Sequence, residues 1–287
     1  MVTELTLKAP AKINLCLAVL GKRTDGYHEV EMLMQMVGLF DEVHVSRTGT
    51  GISVECDAPG VPSGEKNIAY RAAAEMLKLS GGAHGLKIGI TKRIPVAAGL
   101  GGGSSDAAAV LAAADRLFGL GLGPDRLSGI GARLGMDVPF FFHGPTAVAR
   151  GRGEVLTPLP PLPKLRLLLV NPGFETSTSW VYNNLRLGLT KKAGCNKIHR
   201  LTIRNIAENL RNDLETVTQA AHPVIAEIKH ELLASGAQGA LMSGSGPTVY
   251  GIFDSEDGRQ KATERLDRRG WLLYPADTLT EPPNTTG

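Results

Sequence analysis

Four glycines within five positions form the feature that most constrains how this chain folds. They lie in the stretch PVAAGLGGGSSDAAA, residues 95–109. The segment before it has the apolar alternation of a strand, and the residues after it recur at helical spacing. Glycines let a backbone approach a ligand closely, and a helix N-terminus presents unpaired N–H groups. The pattern therefore predicts a strand–loop–helix unit that binds an anion, most often phosphate.

Two common nucleotide-binding motifs do not fit this loop. A Walker loop requires a lysine before Ser104, where Gly103 stands. The dinucleotide fingerprint requires a third glycine at position 104 or 106, which are serine and aspartate. A flexible turn capped by serine is the alternative interpretation. The strand before the loop and the helix after it favour the anion site.

Length and charge limit the possible architectures and partners. A chain of 287 residues suits two domains. PLPPLP, residues 158–163, is the proline-rich stretch where a stiff linker is expected, so the predicted domains are 1–157 and 164–287. A net charge of +3 without a basic run predicts no nucleic-acid partner. No apolar run reaches the roughly 20 residues of a membrane helix, so no membrane partner is expected, and no oligomeric state is assigned.

The cysteines predict a reducing environment. Cys16, Cys56 and Cys195 are odd in number and far apart. This spacing fits neither a disulfide framework nor a metal site, and it favours free thiols in the cytoplasm.

Periodicity predicts a mixture of strands and helices. Apolar residues at helical spacing occur in five segments: 66–82, 104–121, 124–135, 202–219 and 223–234. Strand patterns occur in three places: 5–20, 85–95 and 165–173. DEVHVSRTG (41–49) and GISVEC (51–56) predict a hairpin-like pair, and GALMSGSGPTVYGIF (239–253) predicts two strands around a glycine loop. The tail EPPNTTG (281–287) is expected to be disordered.

Three further stretches carry candidate functional residues. PAKINLCL (10–17) places Lys12 and Asn14 on one side of an apolar strand, where a buried lysine needs a partner and an edge lysine is the alternative. Asp137 lies between a glycine and an apolar run, and it could also serve as a helix N-cap. MSGSGPT (242–248) is a second glycine loop or a simple hairpin turn.

Together these stretches resemble the GHMP kinase superfamily in both order and spacing. The likeness covers residues 8–253 and includes RTDGYHEVEM (23–32) and NDLE (212–215). It implies an α+β fold of two domains: an N-terminal domain like the second domain of ribosomal protein S5, and a ferredoxin-like αβ domain at the C-terminus. The active site would lie in the cleft between them.

The resemblance also implies an activity and its catalytic residues. The chain would be an ATP-dependent kinase acting on a tertiary hydroxyl of a small molecule with a cytidine diphosphate group, in the non-mevalonate route to isoprenoids. Asp137 matches the residue that accepts the hydroxyl proton, and Lys12 matches the lysine that stabilises negative charge in the transition state. Mg²⁺ is expected as a second cofactor, without assigned ligands, although Ser105 is a candidate.

The implied ATP-binding residues are those of the glycine loop, whose backbone N–H groups would make a loop lysine unnecessary. They are Pro95, Val96, Ala97, Ala98, Gly99, Leu100, Gly101, Gly102, Gly103, Ser104 and Ser105. Lys92, just before the loop, would face either phosphate or solvent.

The implied substrate-binding residues lie outside the loop. Tyr27 would stack on the base, and His28 would form a hydrogen bond to it. Tyr182 would supply a second stacking face, with Trp180 as its competitor. Asn14 would contact the diol or diphosphate region. No function is inferred for residues 189–205.

Two alternative functions are kept. One is a GHMP kinase for another alcohol, of the homoserine or mevalonate type. The other is a nucleotide-binding regulator without catalysis, which the presence of both Lys12 and Asp137 disfavours.

Overall fold

Two β-sheets with helices packed against them form the α+β fold that was predicted. The structure, a computed structural model, describes residues 2–81, 84–187, 195 and 203–283. In these residues the first sheet contains β1 (Glu4–Lys22), β2 (His28–Thr48), β3 (Ile52–Cys56), β4 (Gly85–Thr91), β5 (Thr146–Gly151), β6 (Val155–Pro158) and β8 (Arg211–Asn212). The second contains β7 (Arg166–Asn171), β9 (Gly239–Met242), β10 (Val249–Phe253) and β11 (Leu272–Asp277).

The helices follow the apolar periodicity in the first half of the chain. The α-helices of the described residues are α1 (Ile68–Leu79), α2 (Gly102–Phe118), α3 (Gly123–Leu134), α4 (Thr178–Asn184), α5 (Ile203–Ile206), α6 (Glu215–Ala221), α7 (Val224–Ala234) and α8 (Glu256–Leu266). A 3-10 helix covers Val138–Phe142. α2 is buried along most of its length, because its small alanines pack closely against α1 and β1.

β1 and β2 form a long antiparallel pair that carries the catalytic candidates. Its register shifts between Pro10 and Ala11, at a residue that has no N–H to donate. Just beyond this irregularity, the Lys12 N–H donates to the carbonyl of Leu100 at 2.9 Å. The strand is thereby bonded directly to the glycine loop.

The predicted hairpin of residues 41–56 is wrong. β3 pairs in parallel with β4, and β4 pairs antiparallel with β2 from Glu42↔Thr91 to Thr48↔Gly85. β4 buries Leu86, Ile88 and Ile90 in the core. It therefore occupies the edge of β2 that a hairpin partner would have taken.

The predicted helix over 202–219 is also wrong, because the chain becomes extended at Arg211–Asn212 to pair with β1. The side-chain amide of Asn212 donates to the carbonyls of Met242 and Gly244, each at 2.7 Å. These bonds hold the second glycine loop, and they require the break in the helix.

The two sheets share a core rather than standing apart. The predicted linker 158–163 falls between β6 and β7, but β8 returns to the first sheet. Tyr250 of β10 is fully buried and donates its hydroxyl to the carbonyl of Asn14 at 3.0 Å. The division into two domains at this linker stays a prediction.

The prediction of three free thiols is wrong. Cys16 and Cys195 form a disulfide with a Cα–Cα distance of 6.1 Å across a sequence separation of 179, whereas Cys56 is free. Wide spacing did not exclude pairing, because the fold brings Cys195 against Cys16 of β1.

Two predicted segments lie wholly or partly outside the described residues. These are 189–205, of which only 195 and 203–205 are described, and the tail, of which 284–287 are not. In the part of the chain that is described, no helix has the length and apolar character to cross a membrane.

Candidate active site

A cleft of about 980 Å³ brings most of the predicted site residues together. It is bordered by the two glycine loops, β1, the start of the 3-10 helix and α4. Its lining includes Lys12, Asn14, Asp137 and Tyr182, together with the loop from Pro95 to Ser104 except Leu100. Leu100 and Ser105 lie behind this surface, each about 1% exposed.

The first glycine loop leads directly into α2 with its backbone open to the cleft. Gly99 and Gly101 have φ values of 77° and 70°, and Gly101 is the N-cap without a side-chain hydrogen bond. Ser104 and Ser105 therefore lie within the helix and do not cap it. The first N–H groups of α2 thus remain available to an anion.

The second glycine loop packs against the first, so the simple-turn interpretation of residues 242–248 is insufficient. Ser243 donates its hydroxyl to the carbonyl of Gly99 at 2.9 Å. A Cβ at Gly99 would lie 2.1 Å from the carbonyl oxygen of Ser243, a distance that real Cβ atoms do not reach. Glycine is therefore required where the loops meet.

Lys12 is a buried cation with two polar partners. Its side chain is 5% exposed, which rules out a solvated edge lysine. The ammonium donates to Asn14 Oδ1 at 2.8 Å and lies 3.5 Å from Asp137 Oδ2. Lys12, Asn14 and Asp137 form one connected cluster.

Asp137 keeps its carboxylate free of local capping. It precedes the 3-10 helix, yet its side chain makes no cap hydrogen bond, so the N-cap interpretation is wrong. The side chain is 29% exposed toward the cleft. A carboxylate beside an ammonium and open to a ligand is suited to accept a proton.

Lys92 lies in a buried network and does not face solvent. Its ammonium contacts Asp41 Oδ2 at 2.5 Å and Asp106 Oδ2 at 2.9 Å. Burial alone would lower the pKa of Lys92, but the two carboxylates raise it. Burial raises the pKa of Asp106 to about 7. Lys92 borders the cleft, and its contact with a nucleotide stays a prediction.

Asp41 was missed by sequence reasoning. Its Oδ1 accepts the backbone N–H groups of Arg93 and Ile94 at 2.6 and 2.8 Å. It thereby fixes the turn through which the chain enters the glycine loop. No local signal marks it, because its partners are 51 to 53 residues away.

Three aromatic residues, Tyr27, His28 and Tyr182, line the same cleft. The rings of His28 and Tyr182 stack with centroids 5.1 Å apart, and Tyr27 is 50% exposed. Burial lowers the pKa of His28. Burial, and then the charge of Asp137, raise the pKa of Tyr182. Trp180 lines a separate groove with Asn184 and Asp213, so the geometry favours Tyr182 over Trp180 as a stacking face.

Buried polar atoms without partners mark further candidates. In the described residues, Ser105 Oγ, Asp106 Oδ1 and Thr176 Oγ1 make no hydrogen bond. Thr176 and Asp106 border the cleft, and Ser105 lies between Ser104 and Asp106 in the first turns of α2. Sequence reasoning identified Ser105 but missed Asp106 and Thr176.

Two glycine loops, a buried lysine and an uncapped aspartate thus surround one cleft. The family description "GHMP kinases N terminal domain" matches residues 67–145, and "GHMP kinases C terminal" matches residues 196–271. The fold and the site thus belong to the class of GHMP kinases, which are ATP-dependent small-molecule kinases.

Similar proteins of known family indicate where the chain belongs within the GHMP kinases. The chain is 51% identical over 279 residues to "4-diphosphocytidyl-2-C-methyl-D-erythritol kinase" of Geobacter sulfurreducens, covering 96% of this chain and 99% of the relative. It is 46% identical to the protein of that name from Acetivibrio thermocellus, with coverage of 96% and 99%. The chain therefore belongs to the family of the 4-diphosphocytidyl-2-C-methyl-D-erythritol kinases.

Solved structures agree with this assignment. A crystal structure of 4-(cytidine 5'-diphospho)-2C-methyl-D-erythritol kinase superimposes with a TM-score of 0.82 at 34% identity, covering 96% of this chain and 99% of the other. A homoserine kinase from Cytophaga hutchinsonii gives 0.76 at 20% identity, with coverage of 99% and 96%. At that identity the likeness extends to the fold alone.

Proposed function

We propose that this chain transfers the γ-phosphoryl group of ATP to the 2-hydroxyl of 4-diphosphocytidyl-2-C-methyl-D-erythritol, in the non-mevalonate route to isoprenoids. The observation that carries the proposal is the cluster of Lys12, Asn14 and Asp137 beside the open start of α2. The products are the 2-phosphate and ADP.

The catalytic roles follow from this geometry. Asp137 accepts the proton of the substrate hydroxyl as the bond between that oxygen and the γ-phosphorus forms and the bond to the β-phosphate oxygen breaks. Lys12, 3.5 Å from Asp137, stabilises negative charge on the transferring group. Asn14 accepts a hydrogen bond from Lys12 and so orients the ammonium.

The phosphates of ATP are bound by backbone groups of residues 95–105, and Lys92 fixes the entry to this loop from its buried network. Mg²⁺ would neutralise phosphate charge. In the described residues, no group of three or more histidine, cysteine, aspartate or glutamate side chains could hold a metal. The ion would therefore take most ligands from phosphates and water, and the hydroxyl of Ser105, which is buried behind the cleft surface, is not placed to bind it.

The cytidine end of the substrate would bind near Tyr27, His28 and Tyr182. Tyr27 presents an exposed ring for stacking, and Tyr182 contributes a second aromatic surface. Because burial lowers the pKa of His28, its imidazole is neutral at pH 7 and can form a hydrogen bond to a base edge. Asn14, on the cleft wall, is placed for the diol or diphosphate region.

A cytoplasmic location is part of this proposal, and it now rests on the activity alone. ATP and a small phosphorylated metabolite are substrates that the cytoplasm supplies. Because Cys16 and Cys195 form a disulfide, the cysteines no longer support a cytoplasmic location.

The test is turnover with a panel of alcohols. The purified protein is offered ATP, Mg²⁺ and, separately, the cytidine-diphosphate substrate, homoserine and mevalonate, and ADP release is measured. We expect turnover with the first alone. Turnover with homoserine or mevalonate instead would assign another alcohol, and no phosphoryl transfer to any of them would favour the regulator.

Asp137→Asn tests the proposed base. We expect kcat to fall by roughly 10²- to 10⁴-fold, because the amide cannot accept the proton, while the far-ultraviolet circular dichroism spectrum is unchanged. Asp125→Asn, at an exposed position of α3, is the matched control and should retain full activity. Turnover of Asp137→Asn at the wild-type rate would refute the assignment.

A further inference from the structure

Arg152 occupies the turn between β5 and β6, and it lines the cleft together with Tyr27. Gly151 and Gly153, on either side of it, have φ values of 73° and 116°, so this tight turn requires glycine at both positions. A Cβ at Gly153 would lie 3.0 Å from Met32 Cε and 3.9 Å from Met136 Cβ. The turn therefore packs beside the residue that precedes Asp137.

Glu154 holds Arg152 in place. One carboxylate oxygen accepts the backbone N–H of Arg152 at 2.7 Å, and the other accepts the side-chain Nε–H at 3.2 Å. Backbone and side chain are thus fixed by one group, and less conformational entropy is lost when the guanidinium binds a ligand.

The guanidinium of Arg152 lies over Tyr27. Its central carbon is 5.0 Å from the ring centroid, within the range of a cation–π contact. The guanidinium thereby covers part of the ring, while Tyr27 as a whole stays 50% exposed. The side chain of Arg152 is 31% exposed and lines the cleft.

In the described residues, the two terminal nitrogens of the Arg152 guanidinium make no hydrogen bond. In the described residues, the hydrogen bonds of its side chain use Nε alone, so the donors of Nη1 and Nη2 remain available. Asp25, whose pKa its charge helps to lower, is paired with Arg23 instead. A planar guanidinium with free donors is suited to bind phosphate oxygens in pairs.

We propose that Arg152 is a further substrate-binding residue, which binds the diphosphate of the substrate while it holds Tyr27 for the base. This inference rests on the proposed function. The contact of Arg152 with Tyr27, and the packing of its turn beside Met136, assign it to the alcohol substrate, whose base the proposed function places at Tyr27.

The experiment compares CDP with cytidine, which differ in the diphosphate alone. Dissociation constants are measured by titration calorimetry for the wild type, Arg152→Ala and Arg152→Gln. We expect both variants to bind CDP roughly 10- to 100-fold more weakly and cytidine with unchanged affinity, because a charge-assisted contact to phosphate is lost. In steady state, the KM for the cytidine-diphosphate substrate rises similarly, while kcat and the KM for ATP are unchanged.

Arg150→Ala is the matched control. Arg150 lies two residues earlier, is 46% exposed and pairs with Glu31 away from the cleft lining. We expect it to bind both ligands as the wild type does.

Three results would overturn the inference. Wild-type affinity of both Arg152 variants for CDP would show that the diphosphate is bound elsewhere. Equal weakening of CDP binding and cytidine binding would indicate that Arg152 only positions Tyr27 and does not contact the diphosphate. A wild-type protein that binds neither ligand would refute the proposed function as well, and this result is distinct from the first two.

Discussion

Lys12 reaches Asp137 past a residue that has no side chain. A Cβ at Gly101 would lie 2.9 Å from Lys12 Cγ and 3.2 Å from Lys12 Cε, and Gly101 has a φ of 70°. The lysine and the loop therefore depend on each other at the level of single atoms.

Gly101→Ala should damage both stability and catalysis. We expect the free energy of unfolding to fall by about 1–2 kcal/mol from the left-handed conformation alone. Displacement of the Lys12 stem should lower kcat/KM by roughly tenfold or more. Urea unfolding and steady-state kinetics measure the two effects.

Gly103→Ala is the control for that substitution. Gly103 lies within α2, and its added Cβ would meet Ile68 Cγ2 at an ordinary 3.7 Å. Its free energy of unfolding should be unchanged or higher by up to about 1 kcal/mol. Equal losses of stability at positions 101 and 103 would contradict the role of the close approach.

Single residues differed in how far the sequence could predict them. Lys12 and Asp137 stand out because a charged residue in an apolar run needs a partner. In the sequence, nothing distinguishes Asp41 and Arg152 from ordinary polar residues. Their partners in the fold are distant in sequence or lie across a turn. Periodicity and spacing carry no signal for such contacts.

At the scale of elements, the start of α2 depends on a buried charge network. Lys92 lies between Asp41 of β2 and Asp106 of α2, and so joins strand, loop entry and helix. Burial raises the pKa of Asp106 to about 7, so the folded protein holds its proton more tightly than the unfolded chain.

This network predicts an unusual pH dependence. Between the unfolded pKa of about 4 and the folded pKa of about 7, the folded state binds more protons. Stability from this group is therefore present at low pH and is lost as pH rises, at up to about 1.4 kcal/mol per pH unit. In Asp106→Asn this dependence is absent, so the stability of the wild type relative to the variant should fall from pH 4 to pH 7.

Chemical unfolding at each pH measures the difference. Asp125→Asn, exposed on α3, is the control and should follow the wild type. A difference between wild type and Asp106→Asn that rises with pH would contradict a raised pKa.

Elements with strong periodicity were predicted well, and those set by distant pairing were not. α1, α2 and α3 bury regular apolar faces, and Gly135 ends α3 as expected. β3 was assigned the wrong partner because it pairs with β4, whose residues lie 34 positions later, as in the pair Ile52↔Leu86. Arg211 and Asn212 are extended because they pair with β1, and Asn212 also bonds to the second loop. Local propensity cannot indicate these distant partners.

At the scale of the whole molecule, the disulfide joins β1, the strand that carries Lys12, to the second half of the chain. Cys16 lies four residues after Lys12, and its partner Cys195 is 179 positions away. Cross-links that close long loops restrict the unfolded chain most.

Loss of this cross-link should destabilise the protein. We expect Cys195→Ser to lower the free energy of unfolding by about 2–4 kcal/mol. Dithiothreitol should lower the Tm of the wild type but leave that of the variant unchanged. Cys56→Ser, which removes the free cysteine, is the control and should behave as the wild type in both measurements. A wild-type Tm that is insensitive to reductant would contradict the pairing.

The return of the C-terminal residues to the first sheet has a consequence for synthesis on the ribosome. Leu279 donates its N–H to the carbonyl of Met36, and its own carbonyl accepts from the side chain of Gln35. These bonds form only after Leu279, 244 positions beyond Gln35, has been translated. Until then the carbonyl of Met36 and the side-chain amide of Gln35 in β2 lack these partners, so the nascent chain carries an incompletely bonded strand edge.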